Sequence, residues 1–335
     1  MMNRREFMVG TSGFMMAMVA DGDSKTGPSR FQGPAHRKKP ADAKVAVVRT
    51  TDRMAGVKAS IDLLGINPVK GRSVLLKPNF NTADSFPAST HNDTLISLIK
   101  HLKMMGAKSI TIGERSGPPA TSSVIKKKGI QEICRELEVK LINFEDLPED
   151  QWVKVKPGMS HWNDGFSVAK PVLDAECIVS TCCLKTHGYG GVFTMSLKLS
   201  VGVTHKRDMT ELHTSFRSMR KMIAEINQAY EPSLILLDGI EAFTDGGPSE
   251  GTLKHAGVMI AGTDRVAVDA VGISVLKLLG SNEDIMGKKI FEQEQISRAA
   301  ELGLGISRPE DIELVAGDEA GDQYAQKLKA ILIKG

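Results

Sequence analysis

The chain has 335 residues, of which 41% are hydrophobic and 25% charged, with a formal net charge of +3. That length and apolar content exclude a disordered chain and allow one large domain or two closely packed α/β lobes, each with a real core. A charge so close to balance gives no electrostatic case for nucleic acid or an anionic membrane surface as the main partner. With 32 glycines against 5% aromatics, many tight turns are expected, as in wound α/β folds.

The chain opens Asn3-Arg4-Arg5-Glu6-Phe7-Met8 and runs through an apolar, glycine- and serine-softened stretch to Ala20. This stretch is about half as long as a bilayer span requires, so it is not read as a transmembrane helix. Paired arginines, one further residue, a phenylalanine and a modest apolar run resemble the twin-arginine signal, an address read by an export receptor. The expectation is a signal over residues 1–20, a flexible linker over 21–43 and an α/β domain over 44–335. The protein would then be periplasmic or otherwise exported, with the twin-arginine machinery as a partner. A basic start to a cytosolic protein is the alternative.

From Lys44 onward short β-rich runs alternate with helical periods, which predicts α/β architecture with a mostly parallel sheet and helices on both faces. Val45–Val48 is the first strand, and a helix over about 53–64 leads to the buried triplet Val74–Leu76, which stops at Lys77-Pro78-Asn79. Thr90 or Asn92 caps the next helix, whose Leu95, Ile99, Leu102 and Met105 share a face and which Gly106 closes. A strand over 108–112 ends at Gly113-Glu114-Arg115, a helical period follows over about 122–137, and another strand follows at 139–144. Residues 145–170, with Trp152 and Trp162, read as a β excursion capping the sheet. Cys177–Ser180 is a buried run that empties into Thr181-Cys182-Cys183-Leu184-Lys185-Thr186-His187. A long helix is expected over about 214–230. Leu234–Leu237 ends at Asp238, and Val258–Ala261 ends at Gly262-Thr263-Asp264.

Five strand-like runs thus end in Lys77/Asn79, Glu114/Arg115, Lys185/His187, Asp238 and Asp264. Ligands of open parallel sheets bind beyond the carboxyl ends of the strands, where loops and helix N-termini converge. The segment after His187 adds Gly188-Tyr189-Gly190-Gly191, then Lys198, His205 and His213. Glycines such as Gly190 and Gly191 let a backbone approach an anion closely, but the loop lacks the glycine-lysine pair of a phosphate-binding Walker loop. Lys185 and Lys198 can neutralise a carboxylate or phosphate, or act as a base once desolvated. His187, His213 and Asp238 form a possible metal set whose spacing matches no zinc motif. None of Cys134, Cys177, Cys182 and Cys183 forms a C-x-x-C pair, which argues against a ferredoxin-type cluster. Cys182 and Cys183 remain candidates for a redox role because they adjoin this polar segment.

Taken together, Leu76-Lys77-Pro78-Asn79-Phe80, Ser89-Thr90-His91, Gly113-Glu114, Leu184-Lys185-Thr186-His187, Ser196-Leu197-Lys198 with Gly202, and Gly262-Thr263-Asp264 with Asp269-Ala270 resemble the DUF362 domain family. Some of its members carry an added ferredoxin-like module and an iron-sulfur label. The cysteines of that module are absent here, so the label does not transfer. The order His187, Lys198, His213 is also faintly similar to the nickel-dependent lactate racemases, in which a lysine holds a pincer cofactor and histidines bind nickel or move protons. That likeness is an analogy at the level of fold.

Three functions follow as expectations. The first is an isomerase- or epimerase-like enzyme acting on a small anionic substrate. In it His187, Lys198, Lys185 and Glu114 are catalytic; Lys77, Asn79, Ser89, Thr90, Gly190, Gly191 and Asp264 bind the ligand; and a metal ion on His187, His213 and Asp238 is one cofactor option. The second is a non-catalytic binder of an anion, metal or cofactor. The third is a redox protein using Cys182 and Cys183.

Overall fold

The computed structural model describes residues 42–335. The expected signal and nearly all of the linker lie outside the described residues. In chain order the first half comprises β1 (Ala43–Arg49), α1 (Arg53–Asp62), β2 (Ser73–Lys77), α2 (Asn92–Met104), β3 (Ser109–Glu114), α3 (Thr121–Lys127), α4 (Ile130–Glu136) and β4 (Lys140–Asn143). Next come β5 (Trp152–Val155), β6 (Phe166–Ala169), α5 (Lys170–Leu173), β7 (Cys177–His187), β8 (Val192–Thr194), α6 (Met209–Thr214) and α7 (Met219–Ile226). The chain ends with β9 (Leu234–Gly246), β10 (Gly251–Gly262), α8 (Arg265–Leu279), α9 (Glu283–Met286), α10 (Glu294–Glu301), β11 (Ile312–Val315) and α11 (Glu319–Lys334).

Among the described residues nine strands form one sheet in the order β11-β1-β10-β9-β7-β2-β3-β4, with β8 folded back on β7. Every pair along this path is parallel except the two made by β10, which runs against both β1 and β9. Side-chain alternation sends each strand's apolar residues to two different cores. Val45, Val47, Cys182, Leu184, Ile235 and Leu237 pack beneath α8, α10 and α11. Ala46, Val74, Leu76, Ile112, Val179, Leu234 and Leu236 pack beneath α1, α2, α3 and α4. Helices therefore cover both faces of a single mostly parallel sheet, rather than two lobes each holding a sheet of its own. The excursion after residue 145 is a two-stranded antiparallel ribbon of β5 and β6. No helix among the described residues is long and apolar enough to cross a membrane.

Several elements depart from the sequence expectation. The helix expected over 122–137 breaks at Gly129, which has a φ of +65° that glycine tolerates and other residues resist. The helix expected over 214–230 is shorter and starts later, as α7 (Met219–Ile226), with a turn at 215–218 separating it from α6. Strand β7 does not stop at Ser180. It continues to His187 because β9 on one side and β8 on the other keep pairing with it. Strand β9 likewise continues past Asp238, which is 0% exposed within the sheet.

Candidate functional site

The long β7 decides which of its side chains reach a ligand. Cys182 and Leu184 point into the core beneath α8, whereas Lys185 and His187 line a cavity of about 50 Å³, room for a few waters or a small oxyanion. The ends of β2 and β3 bring Lys77, Asn79, Glu114 and Arg115 to the same cavity, and the 3-10 turn Leu197–Val203 brings Lys198. Asn81, Thr194, Gly202 and Pro248 also line it. Six residues from four distant stretches of sequence, Lys77, Asn79, Glu114, Lys185, His187 and Lys198, therefore meet at one place.

The lining carries four cationic side chains, Lys77, Arg115, Lys185 and Lys198, against the single carboxylate of Glu114. Glu114 accepts from Lys77 Nζ at 2.6 Å, from the Phe80 N–H at 2.8 Å and from its neighbour's N–H, that of Arg115, at 2.8 Å. Burial pulls Glu114 up and Lys77 down, and their contact opposes both shifts. With three donors on its oxygens, Glu114 is committed to the fold. It orders the cavity wall and is not a free acid or base. Arg115 spends its guanidinium on the carbonyls of Thr204, Ser116 and Val201. Burial lowers it to about 10, so it stays charged at neutral pH.

Lys185 is 0% exposed and pairs with no carboxylate among the described residues; its ammonium donates to the carbonyls of Ala88 and Pro248. Burial lowers it to about 8. Lys198 is half-buried and has no hydrogen-bond partner among the described residues; burial, then Lys185 and Arg115, lower it to about 8. His187 is pushed down to about 2 by burial first and then by Lys198 and Lys185, so its imidazole is neutral. His187 Nδ1, Asn79 Nδ2 and Thr194 Oγ1 are buried without a partner among the described residues. Buried polar atoms almost always find partners, so such a group beside excess positive charge marks a place for a polar ligand.

The remaining expected residues have other roles. Ser89 donates to the Thr82 carbonyl at 2.6 Å, and Thr90 Oγ1 accepts from the Asn79 N–H at 2.9 Å, so both brace the Asn79 loop without lining the cavity. Gly191 acts by close approach: a Cβ there would lie 2.8 Å from Lys198 Cε and 3.1 Å from His187 Nδ1. Gly190 has a φ of +71°, and its carbonyl accepts from Arg220. Asp264 is displaced from the site altogether. Because β10 is antiparallel, Gly262 pairs with Ile235 at the start of β9, at the opposite end of the sheet from the cavity. Asp264 instead caps α8, accepting from the N–H groups of Val266 and Ala267, and also from that of Ile306. Asp264→Ala is expected to cost about 1–2 kcal/mol in denaturant unfolding and to leave phosphate binding at the cavity unchanged in calorimetry.

The proposed metal set is not assembled. Asp238 accepts from Arg53 at 3.0 Å and from Thr94, and His213 Nδ1 sits 2.7 Å from the Met209 carbonyl. Among the described residues no group of three or more His, Cys, Asp or Glu side chains is placed to hold a metal ion. A cavity rich in ammonium groups also repels a divalent cation. The thiols of Cys182 and Cys183 are both 0% exposed, with burial raising the first well above its usual value and the second to about 11. Neither is an accessible thiolate, so the redox reading loses its reactive group.

Comparison with known proteins adds the lineage. The family model described as a domain of unknown function (DUF362) matches residues 74–274, more than half of the chain and every residue of the cavity lining. The chain belongs to the DUF362 family. A thylakoid-associated protein of Synechocystis sp. is 23% identical over 251 residues, covering 72% of this chain and 74% of its own length. The lactate racemase apoprotein of Thermoanaerobacterium thermosaccharolyticum superposes with a TM-score of 0.48 at 13% identity, covering 73% of this DUF362 chain. The match spans 60% of the length of that racemase structure.

Proposed function

We propose that this DUF362 protein binds a small oxyanion, a carboxylate or phosphate, in the cavity between β2, β3 and β7 and moves a proton on it. The observation that carries this reading is the excess of buried positive charge beside unpartnered polar atoms: Lys185 without a carboxylate, Lys198 without a hydrogen bond, and Asn79 Nδ2 and His187 Nδ1 without partners among the described residues. Lys185 and Asn79 hold the anion. Lys198, lowered to about 8, is close enough to neutrality to exchange a proton. Burial and the neighbouring lysines keep His187 neutral, so it serves as a hydrogen-bonding partner that orients the ligand beside Lys198.

Isothermal titration of the purified protein with inorganic phosphate and with acetate tests binding. Lys198→Ala and His187→Ala are each expected to weaken it about 10- to 100-fold, the value of a charge-assisted hydrogen bond of about 1.5–3 kcal/mol. At about pH 8 binding should take up protons, because a bound anion favours the charged lysines, and affinity should fall as pH rises further. Deuterium wash-in from D2O into small carboxylates, followed by NMR, tests proton transfer. Binding with no exchange in any of them leaves a non-catalytic anion binder, and no binding at all removes both readings.

The address of the protein belongs to the same proposal. Arg4-Arg5 ahead of Phe7 and the apolar run support export by the twin-arginine route. In a competent bacterial host, replacing both arginines with lysine should retain the protein in the cytoplasm; unchanged fractionation would refute the route.

A further inference from the structure

Lys198 does not sit on a regular element. Its turn, Leu197–Val203, is a 3-10 segment, whose internal hydrogen bonds have poorer geometry than those of an α-helix, so outside anchors on its peptide groups add to its rigidity. The anchor lies on α8, which shares one core with Leu197 and Leu199 of the turn. Asp269 is 0% exposed, and its two oxygens accept from consecutive peptide groups, the Ser196 N–H at 2.7 Å and the Leu197 N–H at 2.9 Å. The carbonyl of Leu197 is held in turn by Asn227 Nδ2 at 3.0 Å and by Ser200 Oγ at 2.7 Å. Asn227 is oriented by Arg265, one turn before Asp269 on α8, which also donates to the Tyr230 carbonyl at 2.6 Å. Gly272 lets α8 come this close, since a Cβ there would fall 2.4 Å from Met195 Sδ.

A buried carboxylate is expensive for a fold unless its charge is met. Two backbone donors and the charge of Arg265 oppose the cost of burial, which still raises Asp269 to about 7, and the N–H groups it grips belong to the two residues immediately before Lys198. We propose that Asp269 is a positioning residue that fixes the Lys198 ammonium in the cavity by clamping the Ser196 and Leu197 N–H groups, without touching the ligand itself. The inference rests on the reading of Lys198 as the working amine of the cavity. Asp269→Asn keeps the shape, but its amide nitrogen can only face one of the two N–H groups, so one clamp becomes a clash of donors.

The test reads the lysine directly and needs no ligand. The wild type and Asp269→Asn are trace-acetylated across a pH series, and the labelled peptides are quantified by mass spectrometry, with circular dichroism as a check of folding. In the wild type Lys198 should titrate near 8. In the variant its midpoint should move about one unit or more toward the ordinary 10.5, a loss of neutral amine of about fivefold or more at about pH 8. Lys185, on β7, should keep its profile. An unchanged Lys198 profile in a folded variant overturns the proposal.

If the variant does not fold, amide exchange on the wild type decides. Protection of Ser196 and Leu197 comparable to the core strands supports the clamp, and exchange at the rate of an unstructured chain overturns it. Failure of phosphate to bind the wild type would remove the anion reading and leave the labelling result standing, so the two can be told apart.

Discussion

Lys185→Met should make the protein more stable and remove its capacity to bind a small anion. Lys185 is fully buried and lowered from 10.5 to about 8, so keeping it charged at neutral pH costs the fold about 3 kcal/mol. Its hydrogen-bond partners among the described residues are two carbonyls, which recover part of that cost. The native state holds fewer protons than the unfolded chain between about pH 8 and 10.5, so in the wild type this residue's contribution makes stability rise with pH across that window. The gain from methionine should be full below about pH 8 and vanish above about 10.5. Urea unfolding of both proteins across this range measures it. A variant less stable than the wild type below pH 8 would mean that the two carbonyl bonds outweigh the buried charge.

The opposite result is expected at the neighbouring pair. Glu114→Leu should cost about 3–5 kcal/mol, because it leaves the buried Lys77 ammonium and the N–H groups of Phe80 and Arg115 without their acceptor. Adding Lys77→Met should recover much of the loss, since the desolvated charge is then gone, and a double-mutant cycle gives the coupling. A loss below about 1 kcal/mol in the single variant would show that Lys77 finds another partner or sheds its proton. The two lysines thus differ in kind. One is neutralised by a carboxylate of the protein, while the other is left for a ligand to neutralise.

Much of this site is legible in the amino-acid order. The apolar triplet before Lys77, the strand before Glu114 and the run leading to Lys185 and His187 each mark a chain segment arriving at a sheet edge, and these arrive together. Strand length and direction are harder to read. A lysine and a histidine ordinarily mark the exit of a strand into water, yet β7 carries Lys185 and His187 as paired residues because a polar cavity replaces water on one face. Asp238 looks like a strand end for the same reason, and it is buried only because Arg53 and Thr94, far away in sequence, come to it. The misplacement of Asp264 follows from reading β10 as parallel. Gly246-Gly247-Pro248 between two apolar runs is a hairpin signal that reverses it, and both glycines have a φ of +77°. Asp269 could be read only as part of a family resemblance, since nothing local links a helix residue to a turn 72 positions earlier.

The alternation along β7 also limits how this protein can change. Cys182 and Leu184 look one way, and Lys185 and His187 pair with Thr194 and Val192 of β8. One residue gained or lost between Leu184 and Lys185 would put Lys185 and His187 on the same face as the leucine, in the oily interior. This four-residue stretch tolerates exchange of side chains and not of spacing.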